Sequence, residues 1–383
     1  MRYRTLIGLL ALACVVSTTA AAAPVPEETR TLLRLASGIT KLKVQRPVRV
    51  VQPAPQVVRK RRTVLAAQAY PEAARDHDAT LYRALGLTAS RMAARAALTP
   101  VQPAALFYDA ASRRVVVPRG ARPARNALMR AVASALQDQH FDLRRAAKLG
   151  DNRDARAAAR AATEGYSRLV AQLVAPRAPA AHTTGRITRF LQLQEGFHSS
   201  TAVRFSAQLR NLGSNRAVWT SLRVFPQSTE QIFHLHKFLE RERPIPIVLP
   251  VHVGAFELAS DDTWGELDVR ALLATYGVAG LDRAATGWGG GRSAVYRGDG
   301  AEAVALALDW DSSLDAVEWR DAARRYVGVA FHDAAAAACG VESCWELEGR
   351  GIAFARAGAR TALVFAGDAA TAAEVALALV PPE

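Results

Sequence analysis

The sequence predicts an α+β fold, with a mainly helical body and a C-terminal part that mixes helices and strands. Apolar residues recur at helical spacing through most of the first two thirds of the chain, which indicates helices that each bury one face. In the last third, short runs of valine, leucine, phenylalanine and alanine alternate with helical stretches, and such runs are typical of strands. The chain has 383 residues and is 50% hydrophobic, enough for one large domain or two ordinary ones.

Residues 1–23 have the layout of a secretory signal peptide. Arginines precede an apolar run from Leu6 to Val16, and small residues follow, with Ala20 and Ala22 fitting an A-x-A cleavage site. Cys14 offers the alternative of a lipoprotein anchor, but the three residues before it match a lipobox poorly. We therefore expect an exported protein, secreted or in the cell envelope, whose mature chain has no transmembrane span.

Spacing and turn residues assign the elements that precede residue 175. They are a helix ending at Gly38, a strand in VQRPVRVVQ, helices across 61–97 broken at Pro71 and at 85–87, a hairpin in ALFYDAASRRVVVPRG, and helices over 127–145 and 154–175.

The same criteria assign the rest of the chain. The predicted elements are a helix over 186–212, a helix capped by Ser228 and Gln231 that ends before Pro244, a strand in IVLPVHV, a helix capped by Thr263 and Glu266, a tight turn at 289–291, a helix over 315–326, strands in IAFARAG and TALVFAG, and a helix over 371–379.

The distribution of charge argues against a nucleic-acid partner. The formal net charge is +14, but the arginines are spread along the chain, and the densest basic run, 59–62, has no interleaved aromatic residues. We expect no nucleic-acid partner.

The cysteines predict a disulfide. If the signal is removed, only Cys339 and Cys344 remain, and their spacing in an exported chain favours a local disulfide, with two free thiols as the alternative.

The helix over 127–145 reads ALMRAVASALQDQHFDLRR and resembles the helix HE-x-x-HALQDQHFDL of a family of secreted bacterial zinc metallopeptidases. Further stretches resemble segments of that family in the same order, namely FYDAASRRVVV, ATEGYSRLV, FPQSTEQIFHLHKF, GELDVRALL, AATGWGGGRSAVY and DWDSSLDAVEW. The resemblance implies a zincin-like fold with a short hairpin before the motif helix. It also implies a zincin-like N-terminal part over 24–175, followed by a helical middle and a C-terminal α/β part over 176–383 that pack as one unit.

In that family two histidines one helical turn apart bind zinc, the glutamate after the first polarises the bound water, and a later glutamate completes the site. Here the first three positions hold Arg130, Ala131 and Ser134, and only the later Glu164 is retained. Arginine cannot bind a cation, alanine cannot act as a base, and a serine hydroxyl is a poor zinc ligand. The resemblance therefore implies that zinc is lost, with no cofactor and no catalytic residue remaining.

Other polar positions have a structural or a binding interpretation. Glu230 and His234, in STEQIFH, are retained family positions, and His234 fits either substrate binding or packing. Gln137, Asp138 and Gln139 are expected to bond backbone groups of neighbouring loops. The remaining histidines lack metal-ligand spacing.

Together these patterns predict an exported, catalytically inactive metallopeptidase homologue that binds a peptide or protein in its cleft. An ion pair between Arg130 and Glu164 is expected in place of the metal, with Arg130 pointing to solvent as the alternative. Two other functions stay open. One is an active zinc metallopeptidase with another metal site, and the other is a basic cell-envelope protein that is structural or binds polyanions.

Overall fold

The computed structural model of the protein describes residues 25–99, 103–150, 152–175, 185–298 and 300–380. The predicted signal peptide, with Cys14, lies outside these residues. Within them, no helix is both long enough and apolar enough to cross a membrane. Helices and strands are mixed as predicted, in a helical body followed by a large sheet.

The helices are α1 Val25–Thr40, α2 Pro55–Ala69, α3 Glu72–Ala84, α4 Arg91–Leu98, α5 Arg125–Phe141, α6 Arg153–Gln172, α7 Arg186–Ser199, α8 Thr201–Arg223, α9 Glu230–Phe233, α10 Leu235–Glu240, α11 Glu266–Thr275, α12 Leu281–Ala285, α13 Ser313–Ala330 and α14 Ala369–Leu379, with a 3₁₀ helix at Leu143–Lys148. The strands are β1 Arg49–Val51, β2 Phe107–Asp109, β3 Arg114–Val116, β4 His252–Val253, β5 Phe256–Thr263, β6 Trp288–Gly298, β7 Ala301–Trp310, β8 Ala335–Ala337, β9 Ser343–Leu347, β10 Arg350–Ala357 and β11 Arg360–Ala366.

The helical body is built around α1, α5, α6 and α8, which share one apolar core that includes Leu136, Tyr166 and Phe205. α6 and α8 lie very close together, because a Cβ on Gly165 would be only 2.3 Å from the carbonyl oxygen of Ala202. The predicted hairpin is confirmed as β2 and β3, and β1 pairs with β3 in parallel. These elements hold α5, the helix that resembles the zinc-binding helix of the metallopeptidases, between α1 and α6.

A sheet of eight strands follows, in the order β4-β5-β6-β7-β11-β10-β9-β8, with each neighbouring pair antiparallel. Side chains alternate between its two faces, and both faces are covered. On β7, Val304, Leu306 and Leu308 join the core formed with α3, α4, α11 and α13. The intervening Ala303 and Ala305 join a second core, under α14.

The prediction of a tight turn at 289–291 is wrong, because these glycines lie within β6, where the register shifts beside β7. A Cβ on Gly290 would lie 2.2 Å from the carbonyl oxygen of Ile245, and one on Gly291 would lie 2.2 Å from that of Trp264. The glycines therefore allow two backbone segments to lie directly against the strand.

Other strand boundaries also differ from the sequence prediction. IVLPVHV was expected to be one strand, but only its last two residues, His252–Val253, pair with β5. Pro250 has no amide proton for a sheet ladder, which limits pairing before it. The strand Phe256–Thr263 was not predicted, because its second half, SDDT, contains no apolar residue and so lacks the alternation typical of a half-buried strand.

Two helices differ from the sequence prediction. The helix expected to run on from Ser228 is interrupted at His234, whose backbone is extended (φ −118°, ψ 91°), so α9 and α10 are separate. The capping box predicted at Thr263 is also wrong. That residue ends β5, and the cap of α11 is Gly265, whose amide donates to Asp268 Oδ2 at 3.1 Å.

The predicted disulfide is confirmed. Cys339 and Cys344 are bonded, with 6.2 Å between their Cα atoms. The bond closes the turn between β8 and β9, where Ala337 pairs with Cys344. The disulfide therefore ties the edge strand β8 to β9 at one side of the eight-stranded sheet.

Candidate functional site

The three motif positions on α5 differ in burial. Ala131 is 4% exposed and belongs to the core of the helical body, in the same cluster as Leu32 of α1 and Ala162 of α6. Arg130 and Ser134 are half-buried. A core methyl group flanked by a guanidinium and a hydroxyl offers neither a zinc ligand set nor a base.

Glu164 on α6 is held by arginines of its own helix. Arg160 Nε donates to one carboxylate oxygen at 2.8 Å, and Arg168 Nη2 donates to the other at 3.0 Å. Burial opposes ionisation of this carboxyl, but the charge and hydrogen bond of Arg160, followed by the charge of Arg168, lower its pKa to about 2. The partners that the structure gives Glu164 thus lie one turn before and one turn after it, in place of the predicted pair with Arg130.

α7 completes this cluster with two residues. Glu195 lies 3.0 Å from Arg160 Nη2, so a second carboxylate shares the same cation. His198 is buried, and its Nδ1 has no hydrogen-bond partner among the described residues. Desolvation, followed by the charge of Arg160, lowers the pKa of His198 to about 3, so its imidazole is neutral at physiological pH.

His234, at the break between α9 and α10, is tied to a buried carboxylate. Its Nε2 lies 2.9 Å from Glu266 Oε1, and Arg270 Nε donates to the same oxygen at 2.6 Å. The other oxygen of Glu266 is buried, with no hydrogen-bond partner in the described part of the chain. Arg270 also lies over the ring of Phe233, 4.6 Å from its centroid.

Glu230 belongs to a carboxylate cluster that holds a lysine. One oxygen from each of Glu230, Glu242 and Asp311 lies within 4.8 Å of the other two, a spacing that could hold a cation. The ammonium of Lys237 already contacts all three, at 2.5, 2.7 and 2.5 Å. Burial disfavours this charge, but the hydrogen bonds that the ammonium donates to the three carboxylates outweigh it and raise the pKa of Lys237.

A further buried ion cluster, which the sequence analysis does not predict, joins the helical body to the helices that cover the sheet. Arg153 at the start of α6 donates to both oxygens of Asp78 on α3 at 2.6 Å and lies 3.4 Å from Asp268 of α11. Its guanidinium also lies over the ring of Trp264, 5.8 Å from the centroid. These residues come from distant parts of the chain, so no local spacing marks them as partners.

Two residues of the polar run of α5, Asp138 and Gln139, bond loop backbone as predicted, whereas Gln137 lies against Thr163 and Ser167 of α6. Gln139 Oε1 accepts from the amides of Gln45 and Arg46 at 2.9 and 3.2 Å, and its amide donates to the carbonyl of Arg46 at 2.9 Å. Asp138 accepts from the amide of Leu143 and the hydroxyl of Tyr108, both at 2.8 Å. The run therefore fixes the loop before β1 and the chain after α5.

A groove of about 650 Å³ lies among α7, the start of α8, α9, α11 and α12. Its walls are mostly apolar and include Leu193, Phe197 and Phe233, while Arg189 and Arg270 are the charged residues among those that line it. The side chain of Arg189 is exposed. The lining includes Phe197, Phe233 and Leu267, the sequence neighbours of His198, His234 and Glu266, so the groove is a candidate binding site beside these polar residues.

The comparisons with known proteins cover only part of the chain. Residues 255–376, from β5 to α14, match a family model described as "Domain of unknown function (DUF8575)". No curated protein and no solved structure matches the chain.

Proposed function

We propose that the chain is an exported, catalytically inactive relative of the zinc metallopeptidases that it resembles, with a zincin-like body. We further propose that it acts by binding a peptide or protein segment in the groove between α7 and α11. The proposal includes no cofactor and no nucleic-acid partner.

The pairing of Glu164 with two arginines is the main support for the proposed loss of catalysis. Its carboxylate, at the one zinc-ligand position that the sequence retains, is engaged by Arg160 and Arg168. Two guanidinium groups at salt-bridge distance oppose the approach of a divalent cation. Ala131 in the core, where the family has its general base, supports the same conclusion.

The groove supports the binding role. Its apolar walls, with the cationic group of Arg189, suit a segment with apolar side chains and a carboxylate. Its volume of about 650 Å³ accommodates a few residues rather than a folded domain.

The first test concerns the metal. Protein beginning at residue 24 is purified from zinc-containing medium, its zinc is measured by elemental analysis, and cleavage of labelled casein is followed with and without added Zn²⁺. We expect no stoichiometric zinc and no chelator-sensitive cleavage. One equivalent of tightly bound zinc with chelator-sensitive cleavage would support the active-enzyme alternative, and loss of that zinc in Glu230→Gln would locate it in the carboxylate cluster.

The second test concerns the groove. A defined pool of casein peptides is passed over immobilised protein, and the retained peptides are identified by mass spectrometry. Gly196→Phe places a ring in the groove, since a Cβ on Gly196 has nothing within 4 Å. Gly328→Phe on α13 is the matched control, because this helical glycine is equally open and lies outside the groove. We expect retention by the parent and the control and loss in Gly196→Phe; equal retention by all three contradicts a role for the groove.

A further inference from the structure

A second cavity, of about 370 Å³, lies at the C-terminal end of α5 and collects four arginines. Arg46 comes from the loop before β1, Arg113 from the turn between β2 and β3, Arg145 from the 3₁₀ helix, and Arg223 from the end of α8. Four arginines that converge from four segments differ from the diffuse basic surface that the composition predicts. We refer to this cavity as the arginine pocket.

The acidic residues of the arginine pocket leave it positively charged. Four arginines against Asp138 and Asp142 give a lining charge of 4 − 2 = +2. Asp142 is already paired with Arg144 at 2.6 Å, and Asp138 is only loosely paired with Arg113, at 3.8 Å. An anion that enters the pocket therefore meets guanidinium charge that the local carboxylates do not neutralise.

The carbonyl end of α5 would by itself repel an anion, but Arg145 is placed to offset it. Its Nε donates to the carbonyl of Phe141 at 2.9 Å, and its Nη1 and Nη2 donate to the carbonyls of Arg223 and Leu222 at 2.9 and 2.5 Å. Arg145 thus holds the end of α8 against the end of α5. It thereby positions Arg223, whose guanidinium lies 5.7 Å from the ring centroid of Phe141.

The remaining walls are also fixed before any ligand binds. Gln139 bonds both the amide and the carbonyl of Arg46, which orients the loop before β1. Arg113 and Asp142 both adopt the left-handed backbone region, with φ of 55° and 45°. This conformation is unfavourable for residues other than glycine and is concentrated at binding sites.

We propose that the arginine pocket binds a compact oxyanion of the phosphate class, with about two negative charges, as free phosphate or as a phosphate ester. The guanidinium fork matches the oxygens of such a group, and the lining charge of +2 balances a dianion. The pocket is separate from the peptide groove, and this proposal does not depend on the proposed function.

The test is calorimetric titration of the chain beginning at residue 24 with inorganic phosphate at low ionic strength. Arg113→Gln removes one pocket charge from a side chain that is 45% exposed, and Arg34→Gln makes the same change at an exposed position on α1. We expect saturable binding by one phosphate, weakened about tenfold or more in Arg113→Gln and at most about twofold in Arg34→Gln. Arg113→Lys should recover part of the affinity, because it restores the charge without the fork.

The proposal is overturned if the parent does not bind phosphate or if Arg113→Gln binds it as tightly as the parent. It is also overturned if Arg34→Gln weakens binding as much as Arg113→Gln does. If Arg113→Gln does not fold, Arg46→Gln replaces it with the same expectation. Titration with glycerol 3-phosphate identifies the source. Tighter binding than inorganic phosphate assigns the pocket to a phosphate ester, and weaker binding assigns it to free phosphate; either result supports the oxyanion pocket.

Discussion

Replacing Lys237 with methionine should destabilise the protein substantially. The change removes the ammonium that contacts Glu230, Glu242 and Asp311 and leaves three carboxylates within 4.8 Å of one another. Removing one partner of a buried ion pair costs about 3–5 kcal/mol. Glu242 and Asp311 are 37% and 36% exposed and can be hydrated, so we expect the lower end, about 3 kcal/mol.

The pH dependence of this variant distinguishes the mechanism. In the parent the pKa of Lys237 is raised. The contribution of its ammonium to the free energy of unfolding is therefore complete below the ordinary lysine pKa and is lost only at strongly alkaline pH. In the variant the crowded carboxyls should have raised pKa values. Its deficit in unfolding free energy relative to the parent should therefore be smallest at low pH and grow as pH rises from about 4 to 7. Millimolar Ca²⁺ should reduce the deficit by occupying the position of the ammonium.

Urea unfolding followed by circular dichroism, at several pH values and with or without Ca²⁺, measures these effects. Lys60→Met is the matched control, since that lysine is exposed on α2. The reasoning is refuted if Lys237→Met unfolds within about 1 kcal/mol of the parent at pH 7, where surface substitutions usually lie, or if its deficit is the same at every pH.

Three further predictions can be checked by the same unfolding measurement. Replacing both Cys339 and Cys344 with serine should cost about 2 kcal/mol, since the loop that the disulfide closes is short; an unchanged urea midpoint would contradict this. Gly290→Ala should cost about 2 kcal/mol or more, because its Cβ would meet the backbone of Ile245 at 2.2 Å, and wild-type stability would show that this contact relaxes easily. The pKa of Glu164 is lowered to about 2, so the contribution of its carboxylate to the free energy of unfolding is present above the ordinary glutamate pKa and is lost as pH falls toward 2. Glu164→Gln should therefore make the stability fall less steeply at acid pH, and an unaltered acid dependence would argue against this reasoning.

Features that depend on neighbouring residues could be predicted from the sequence, and those that depend on distant contacts could not. The hairpin of β2 and β3 was predicted because both strands and their turn are adjacent in the chain. Residues 289–291 were assigned to a turn because nothing near them reveals that the backbone of Ile245 lies against β6. A glycine that serves a turn and one that serves a close approach look the same in the sequence.

The candidate site follows the same division. The loss of ligands at Arg130, Ala131 and Ser134 is visible in the residue types themselves. The expected pair between Arg130 and Glu164 overlooked the arginines one turn on either side of Glu164, which the i±4 spacing on a helix places within reach. The groove and the arginine pocket were not predicted, because each is assembled from at least four segments of the chain.

The disulfide at the sheet edge has a consequence for self-association. β8, only three alanines long, is an outer strand of the eight-stranded sheet and offers few unpaired backbone groups. A short edge strand protects a protein from pairing with other chains, and the bond between Cys339 and Cys344 keeps β8 in place. If the bond is reduced and β8 detaches, the five residues of β9 become the edge and present a longer template. The oxidised chain should therefore stay dispersed under conditions in which the reduced chain forms intermolecular β-structure.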